Sequence, residues 1–167
     1  SLKELTGQTT SNGIELDVIT NFVKGLSVMA GYSYNDMTYT KTPGTKGSYV
    51  TGERLVNTPA HTANASAWYH FSKGALNGLK VGAAVYYIGQ RFGGWNNTIG
   101  QAQDYSRLIA VDGFTTVDLS AGYTFKKLSL LARVTNLGNI YNYYVHENYS
   151  INPIPPRQFV ATVSYKF

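Results

Sequence analysis

The 167-residue sequence contains no cysteine, which excludes disulfides and thiolate metal sites. Charge is scarce too: Asp, Glu, Lys and Arg make up 14% of the chain, where an average soluble domain carries roughly 25%. No stretch of about 18 apolar residues occurs, so no membrane-spanning helix is encoded. The net charge of +5 comes from scattered Lys and Arg. Nucleic-acid binding, which needs clustered basic residues, is therefore not expected. No initiating Met, charged n-region or apolar h-region stands at the start, so any export signal is expected to lie outside this sequence. Enzyme chemistry is short of parts as well. His61, His70 and His146 show no metal-ligand spacing, and neither a phosphate-binding glycine loop nor a nucleophile elbow occurs. The chain is read as a non-enzyme with no catalytic residue, metal or cofactor. Glu15 and Asp17, two apart on one strand face, read as solvated or inward-facing residues and not as a catalytic pair.

What is present is aromatic and periodic. Aromatics make up 14% of the chain, Tyr supplies fourteen residues and Gly seventeen. From Leu26 the even positions read Leu26, Val28, Ala30, Tyr32, Tyr34, and the odd ones Ser27, Met29, Gly31, Ser33, Asn35. A period of two is the signature of a strand with one apolar face. It recurs over residues 13–20, 61–71, 79–88, 115–125, 128–135 and 157–167. The reading is seven strands of roughly 8–12 residues and no helix, and tilted strands of about 9–11 residues cross a bilayer. Met29, Trp68, Tyr86, Ile88, Leu131 and Val160 interrupt the polar face, where they are expected to meet protein inside a barrel.

The connections alternate in length. Residues 21–25, 72–78 and 126–127 are short, whereas residues 36–60, 89–113 and 136–156 are long. In an antiparallel meander this gathers the short turns at one end and the long loops at the other. Outer-membrane barrels show that asymmetry, with short periplasmic turns and long extracellular loops, and a soluble sandwich has no cause to produce it. The expected fold is therefore all-β, an antiparallel transmembrane barrel meander in the bacterial outer membrane, in contact with lipid.

Three strands end alike, at Tyr69/Phe71, Tyr123/Phe125 and Tyr165/Phe167. All six residues share the outward parity at the short-turn end, where amphipathic rings favour the headgroup level. Tyr32, Tyr34 and Tyr87 have the same parity near the long-loop end. Eight residues from Leu26 to Tyr34 rise on the order of 20 Å at a tilt near 40°, close to the apolar band of about 25 Å. These nine residues are the expected interfacial girdle. Asp118 and Arg133 share inward parity on adjacent strands and can pair. The sequons at Asn64, Asn96 and Asn148 carry no weight in a bacterial barrel.

Seven is an odd count, and bacterial single-chain barrels have even ones. Residues 1–10 alternate poorly and read as the end of a loop, which favours a piece of a larger barrel. The sequence resembles one family throughout. "GIELDVITNFVKGLSVMAGYSYNDMTYT" is similar to a late hairpin of TonB-dependent outer-membrane receptors, and "GERLVNTPAHTANASAWYHF" resembles their lead into the following strand. "VYYIGQRFGG", "FTTVDLSAGYTF", "LLARVTNLGNIYNYYV" and the closing "PPRQFVATVSYKF" continue in the family's order. The resemblance implies that residues 1–167 are the C-terminal portion of a 22-stranded barrel domain, without its plug. It further implies partners: the remaining strands and plug of the same receptor, the TonB complex acting through that plug, and outer-membrane assembly machinery. Tyr165 and Phe167 resemble the C-terminal signal that such machinery reads. The "GERLVNTPAHTA" stretch implies a ferric-siderophore-like ligand.

Recognition is expected on the long loops. They hold Tyr39, Phe92, Tyr141 and Tyr149, and the residues expected to contact ligand are Tyr49, Arg54, Arg91, Trp95, Tyr105, Arg107, Tyr143, Tyr144 and His146. Aromatic rings and cations together suit a bulky metal chelate through stacking, cation–π contact and charge pairing. The rival reading is a complete eight-stranded barrel with a structural or adhesive role, in which residues 1–10 would pair with residues 157–167. A third is a fragment captured by assembly machinery.

Overall fold

The computed structural model describes residues 7–43, 49–95, 108–146 and 150–167. Its strands are β1 (Gln8–Thr20), β2 (Leu26–Lys41), β3 (His61–His70), β4 (Leu79–Ile88), β5 (Arg91–Trp95), β6 (Leu108–Val111), β7 (Phe114–Phe125), β8 (Leu128–Thr135), β9 (Tyr143–His146), β10 (Ser150–Pro153) and β11 (Gln158–Tyr165). Seven form one antiparallel sheet in the order β1-β2-β3-β4-β7-β8-β11. These are the seven alternating runs of the sequence. The other four make two ribbons, β5–β6 and β9–β10, inside the second and third long connections.

The structure corrects the strand boundaries at the long-loop end. β1 starts at Gln8, where the sequence reads as loop, and pairs with a β2 that runs on to Lys41, residue for residue from Thr9 to Thr20 with a register shift between Gln8 and Thr9. Residues 7–10 thus lie beside β2 and not beside β11. The short connections fall where alternation places them. One carries a single 3-10 turn at Gly74–Leu76, too short to have a periodic signal. Gly25 and Gly78 take positive φ (85° and 92°). A Cβ there would stand 2.6 Å from His70 O and 2.5 Å from Thr124 O, so both turns need glycine.

Register fixes the faces. One pairing row runs Leu26, Tyr69, Val81, Ala121, Ala132, Ala161 across β2, β3, β4, β7, β8 and β11. All six have the apolar parity. The aromatic endings step away from this row. Tyr69 lies on it, Tyr123 two residues beyond it and Tyr165 four beyond it, so the stagger is one residue per strand. Among the described residues the only buried hydrophobic ones are Phe114, Val145 and Ile154. All three lie in or against the long connections; the sheet itself has no core.

Candidate functional site: the mouth formed by the long connections

The first long connection folds back on β2. Tyr39 N donates to Glu53 O (2.9 Å) and Leu55 N to Met37 O (3.1 Å). The Glu53 carboxylate, 8% exposed, accepts from Val50 N at 3.1 Å. Arg54 ties the base of the loop: Nη1 donates to Asp36 Oδ1 at 2.7 Å, and Nη2 to Asn35 O at 2.8 Å and Thr58 O at 3.4 Å. Tyr49 stacks on Tyr39 with centroids 4.1 Å apart and planes 10° apart. Asn57, at φ 56°, donates its N–H to Phe92 O at 2.7 Å, joining the first connection to the second.

Arg91 joins the second connection to the third. It is 2% exposed, the most buried large side chain described. Nη1 donates to Asp112 O at 3.2 Å, and Nη2 to Asn142 Oδ1 at 3.0 Å and to Tyr143 O. Its guanidinium lies over the Phe114 ring, 5.6 Å from the centroid. Burial pulls the guanidinium below its ordinary pKa, with Tyr144 a smaller opposing influence. An arginine starts so high that it remains a cation. Asn142 also donates from Nδ2 to Asp112 O at 3.0 Å. Beside this node Val145, 8% exposed, closes against Gly93.

The third connection begins at an asparagine turn. Asn136, 4% exposed at φ 47°, uses its whole amide. Nδ2 donates to Ile140 O and Pro155 O, each at 3.0 Å, while Oδ1 accepts from Ile140 N at 2.9 Å. Its own N–H donates to Asp118 Oδ1 at 3.0 Å. Asn139, at φ 50°, accepts from Arg157 N at 2.9 Å. Two asparagines in the left-handed region three residues apart are what "NLGN" supplies, because Asn tolerates that region and caps backbone locally. Asp118 also accepts from Arg133 Nη2 at 2.5 Å, the pair anticipated from parity.

The residues expected at the ligand divide into four groups. Arg54, with its side chain 21% exposed, and the buried Arg91 both donate to protein oxygens of the loop scaffold. Tyr143 and Tyr144 are 51% and 44% exposed, and Tyr144 meets Phe114 edge-on with centroids 6.4 Å apart. Tyr49 stacks as above, Trp95 ends β5 opposite Leu108, and His146 ends β9 opposite Ser150. Tyr105 and Arg107 lie outside the described residues. Sequence reasoning missed Glu53, Asn57, Asn136, Asn139 and Asn142. The signal available for most was Asn beside Gly or Thr in a loop, which marks a turn but not its partners.

Residues 3–137 match the family described as TonB dependent receptor-like, beta-barrel. The chain is 27% identical to the metal-pseudopaline receptor of Pseudomonas aeruginosa over 99% of its length and 22% of that protein. It is 26% identical to the ferrioxamine B receptor of Salmonella typhimurium over 80% of its length and 17% of that protein. It thus spans about a fifth of the curated relatives it matches. Among solved structures, the ferric preacinetobactin receptor of Acinetobacter baumannii superposes with a TM-score of 0.79 at 23% identity, over 97% of this chain and 23% of that one. The ferripyoverdine receptor of the Pseudomonas aeruginosa outer membrane gives 0.77 at 22%, over 96% and 20%. On the family match, which covers most of its residues, this chain belongs to the TonB-dependent receptor-like β-barrel family.

Proposed function

We propose that residues 1–167 are the C-terminal seven strands of a 22-stranded outer-membrane receptor, contributing wall and outer loops to TonB-dependent uptake of a ferric-siderophore-like chelate. The observation that carries this is the pairing of a family-wide match with relatives that are themselves metal-chelate receptors. Remaining strands must flank both β1 and β11, since an unpaired strand edge in lipid is very costly. The plug and the TonB complex acting on it are the other partners, and assembly machinery reads Tyr165 and Phe167. Nothing in the register of residues 7–10 favours the eight-stranded rival.

The geometry of the wall supports a tilted, membrane-spanning sheet with aromatic rings at both ends. Three aromatic endings at one level, with a stagger of one residue per strand, require strands leaning by about 35° (about 3.3 Å of rise for each 4.8 Å of strand spacing). Transmembrane barrels lean by about 35–45°. The same stagger brings Tyr87, paired to the Tyr32 row through Ala63, level with Tyr34 at the other end. Two of the endings are edge-to-face pairs, Tyr69–Phe71 at 4.7 Å and Tyr165–Phe167 at 5.4 Å. In this reading the short turns face the periplasm and the long loops face outward from the cell, as their lengths suggest, and both rings of aromatics act as interfacial girdles. Loop residues Tyr49, Trp95, Tyr105, Arg107, Tyr143, Tyr144 and His146 are the set proposed to meet ligand. The test is growth on iron chelates as sole iron source, with the full-length receptor expressed in a strain lacking other receptors. Uptake should require TonB. Growth that is independent of the receptor on every chelate offered would refute the proposal.

A further inference from the structure

The three short connections of the wall carry charge of one sign. Lys24 stands in residues 21–25, Lys73 in residues 72–78, and Lys126 and Lys127 are the whole of the third. All four are exposed. No Asp or Glu stands in residues 18–35, 69–81, 122–130 or 164–167, which hold these turns and the strand ends beside them. Along the chain Asp17 comes nearest, on β1 opposite Gly31. Among the described residues none of the four lysines meets an acid. A carboxylate closing the chain after Phe167 would subtract one charge and leave the sign unchanged.

The turns are joined into one rim. His70 N donates to Gly25 O at 2.7 Å, Thr124 N to Gly78 O at 3.1 Å and Lys166 N to Lys127 O at 2.9 Å, so each turn is bonded to the end of the next wall strand. Neighbouring turns are two strand spacings apart, roughly 10 Å, close to the screening length of about 8 Å at physiological salt. Like charges at that spacing repel one another unless an anion joins them.

Two features put this charge beside lipid. Lys126 Nζ lies over the outward-facing Phe125 ring, 5.3 Å from its centroid, so this cation sits at the aromatic girdle and not in the lumen. Phe22 and Leu76, in the first and second turns, are 93% and 49% exposed. Together they make an interfacial anchor, in which the apolar group enters the acyl boundary and the ammonium stays with phosphate. An acidic protein surface would answer the lysines but not their level with the girdle. Lys126 also has φ 53° in a two-residue turn, where glycine or asparagine is the usual occupant. A lysine kept there at some backbone cost points to a use for its charge.

We propose that Lys24, Lys73, Lys126 and Lys127 form a binding rim for the phosphate headgroups of anionic phospholipid, in the leaflet that the short turns meet. The rim rests on the outer-membrane reading above. Lys80 and Lys166 are not part of it. Both have the inward parity, and Lys80, paired with His70, lines a hollow with Trp68.

The experiment places the photoreactive p-benzoylphenylalanine at position 125 of the full-length receptor, in vesicles of equal phosphatidylglycerol and phosphatidylcholine. Crosslinked lipid is identified by mass spectrometry. Phosphatidylglycerol is expected in at least about threefold excess, falling toward equality as added salt screens the charge. The combined variant Lys24→Gln, Lys73→Gln, Lys126→Gln, Lys127→Gln should bring the ratio to about one, whereas Lys80→Gln should leave it unchanged. Resistance of the barrel band to unfolding on unheated gels checks that each variant is folded. Equal crosslinking of the two lipids with all lysines present, an excess that survives the combined variant, or an equal loss in Lys80→Gln overturns the rim. In whole cells, crosslinking to a protein in place of lipid overturns it too, in favour of an acidic partner. No lipid crosslink in any sample overturns the outer-membrane reading itself.

Discussion

Along the wall, large apolar side chains stand exposed on the outward face, Leu119 at 42% and Val163 at 66%, whereas Phe114, Val145 and Ile154 are buried at the mouth. The wall is held by repetition. Between neighbouring strands the backbone groups are satisfied in the ladder, and a side chain there need only suit the face it points to. The mouth is held by individual side chains such as Arg91, which reaches Asp112 O, Asn142 Oδ1 and Tyr143 O, and Asn136, which joins Ile140 to Pro155. A face of this size left in water would be an aggregation surface; in lipid it is the solvent-matched side of the wall. Tolerance to substitution should therefore follow parity in the wall and residue identity at the mouth.

The largest break in that comparison is expected from Leu119→Arg, near the middle of β7 on the outward face. A cation on the lipid face near the bilayer midplane costs about 2–4 kcal/mol, while Ser120→Arg, one residue along and facing the lumen, should cost little. Folding into vesicles of each full-length variant measures the difference, and equal costs would end the parity rule. Next is Arg91→Ala. It takes a donor from three acceptors at the mouth, at about 1–3 kcal/mol for any group left buried and unsatisfied, although Asp112 O keeps Asn142 Nδ2 and Asn142 Oδ1 keeps Tyr143 N. Cleavage of the long connections by added protease should rise sharply while the barrel's resistance to heat stays unchanged; a parallel loss of both would tie wall and mouth into one unit. Asn136→Ala should act in the same direction but more weakly, at about 1–3 kcal/mol in total, with Asn136→Gly recovering only the part owed to its φ of 47°. The smallest effect belongs to Phe125→Ala, one ring of a girdle. It should lower membrane yield less than removal of Phe167 does, and equal yields would remove any special status of the last aromatic pair.

How much of this was legible in the sequence follows the same division. The seven wall strands show themselves because lipid and lumen impose opposite chemistry on alternate residues. Where the strands leave the membrane that contrast ends. Gln8–Asn12 is polar on both faces, and in Asp36–Lys41 only Met37 and Tyr39 interrupt a polar run, so the paired extension of β1 and β2 reads as loop. The β5–β6 ribbon is built on "RFGGW" and has no alternation for the same reason. At the mouth the residue types were legible but the roles were not. Arg54 and Arg91 look alike whether their guanidinium meets a ligand or a carbonyl, and only the fold brings Asp36 to one and Asn142 to the other. The Asp118–Arg133 pair was readable because parity and strand adjacency alone place it.

The central claim is that β7 separates lipid from lumen residue by residue. A nitroxide scan of residues 116–123 in the membrane-embedded full-length receptor tests it most directly, comparing collision with oxygen, which concentrates in lipid, against a water-soluble metal complex. The account predicts a period of two, with oxygen favoured at positions 117, 119, 121 and 123 and the polar reagent at positions 116, 118, 120 and 122. A uniform profile, or one with the opposite phase, would contradict it.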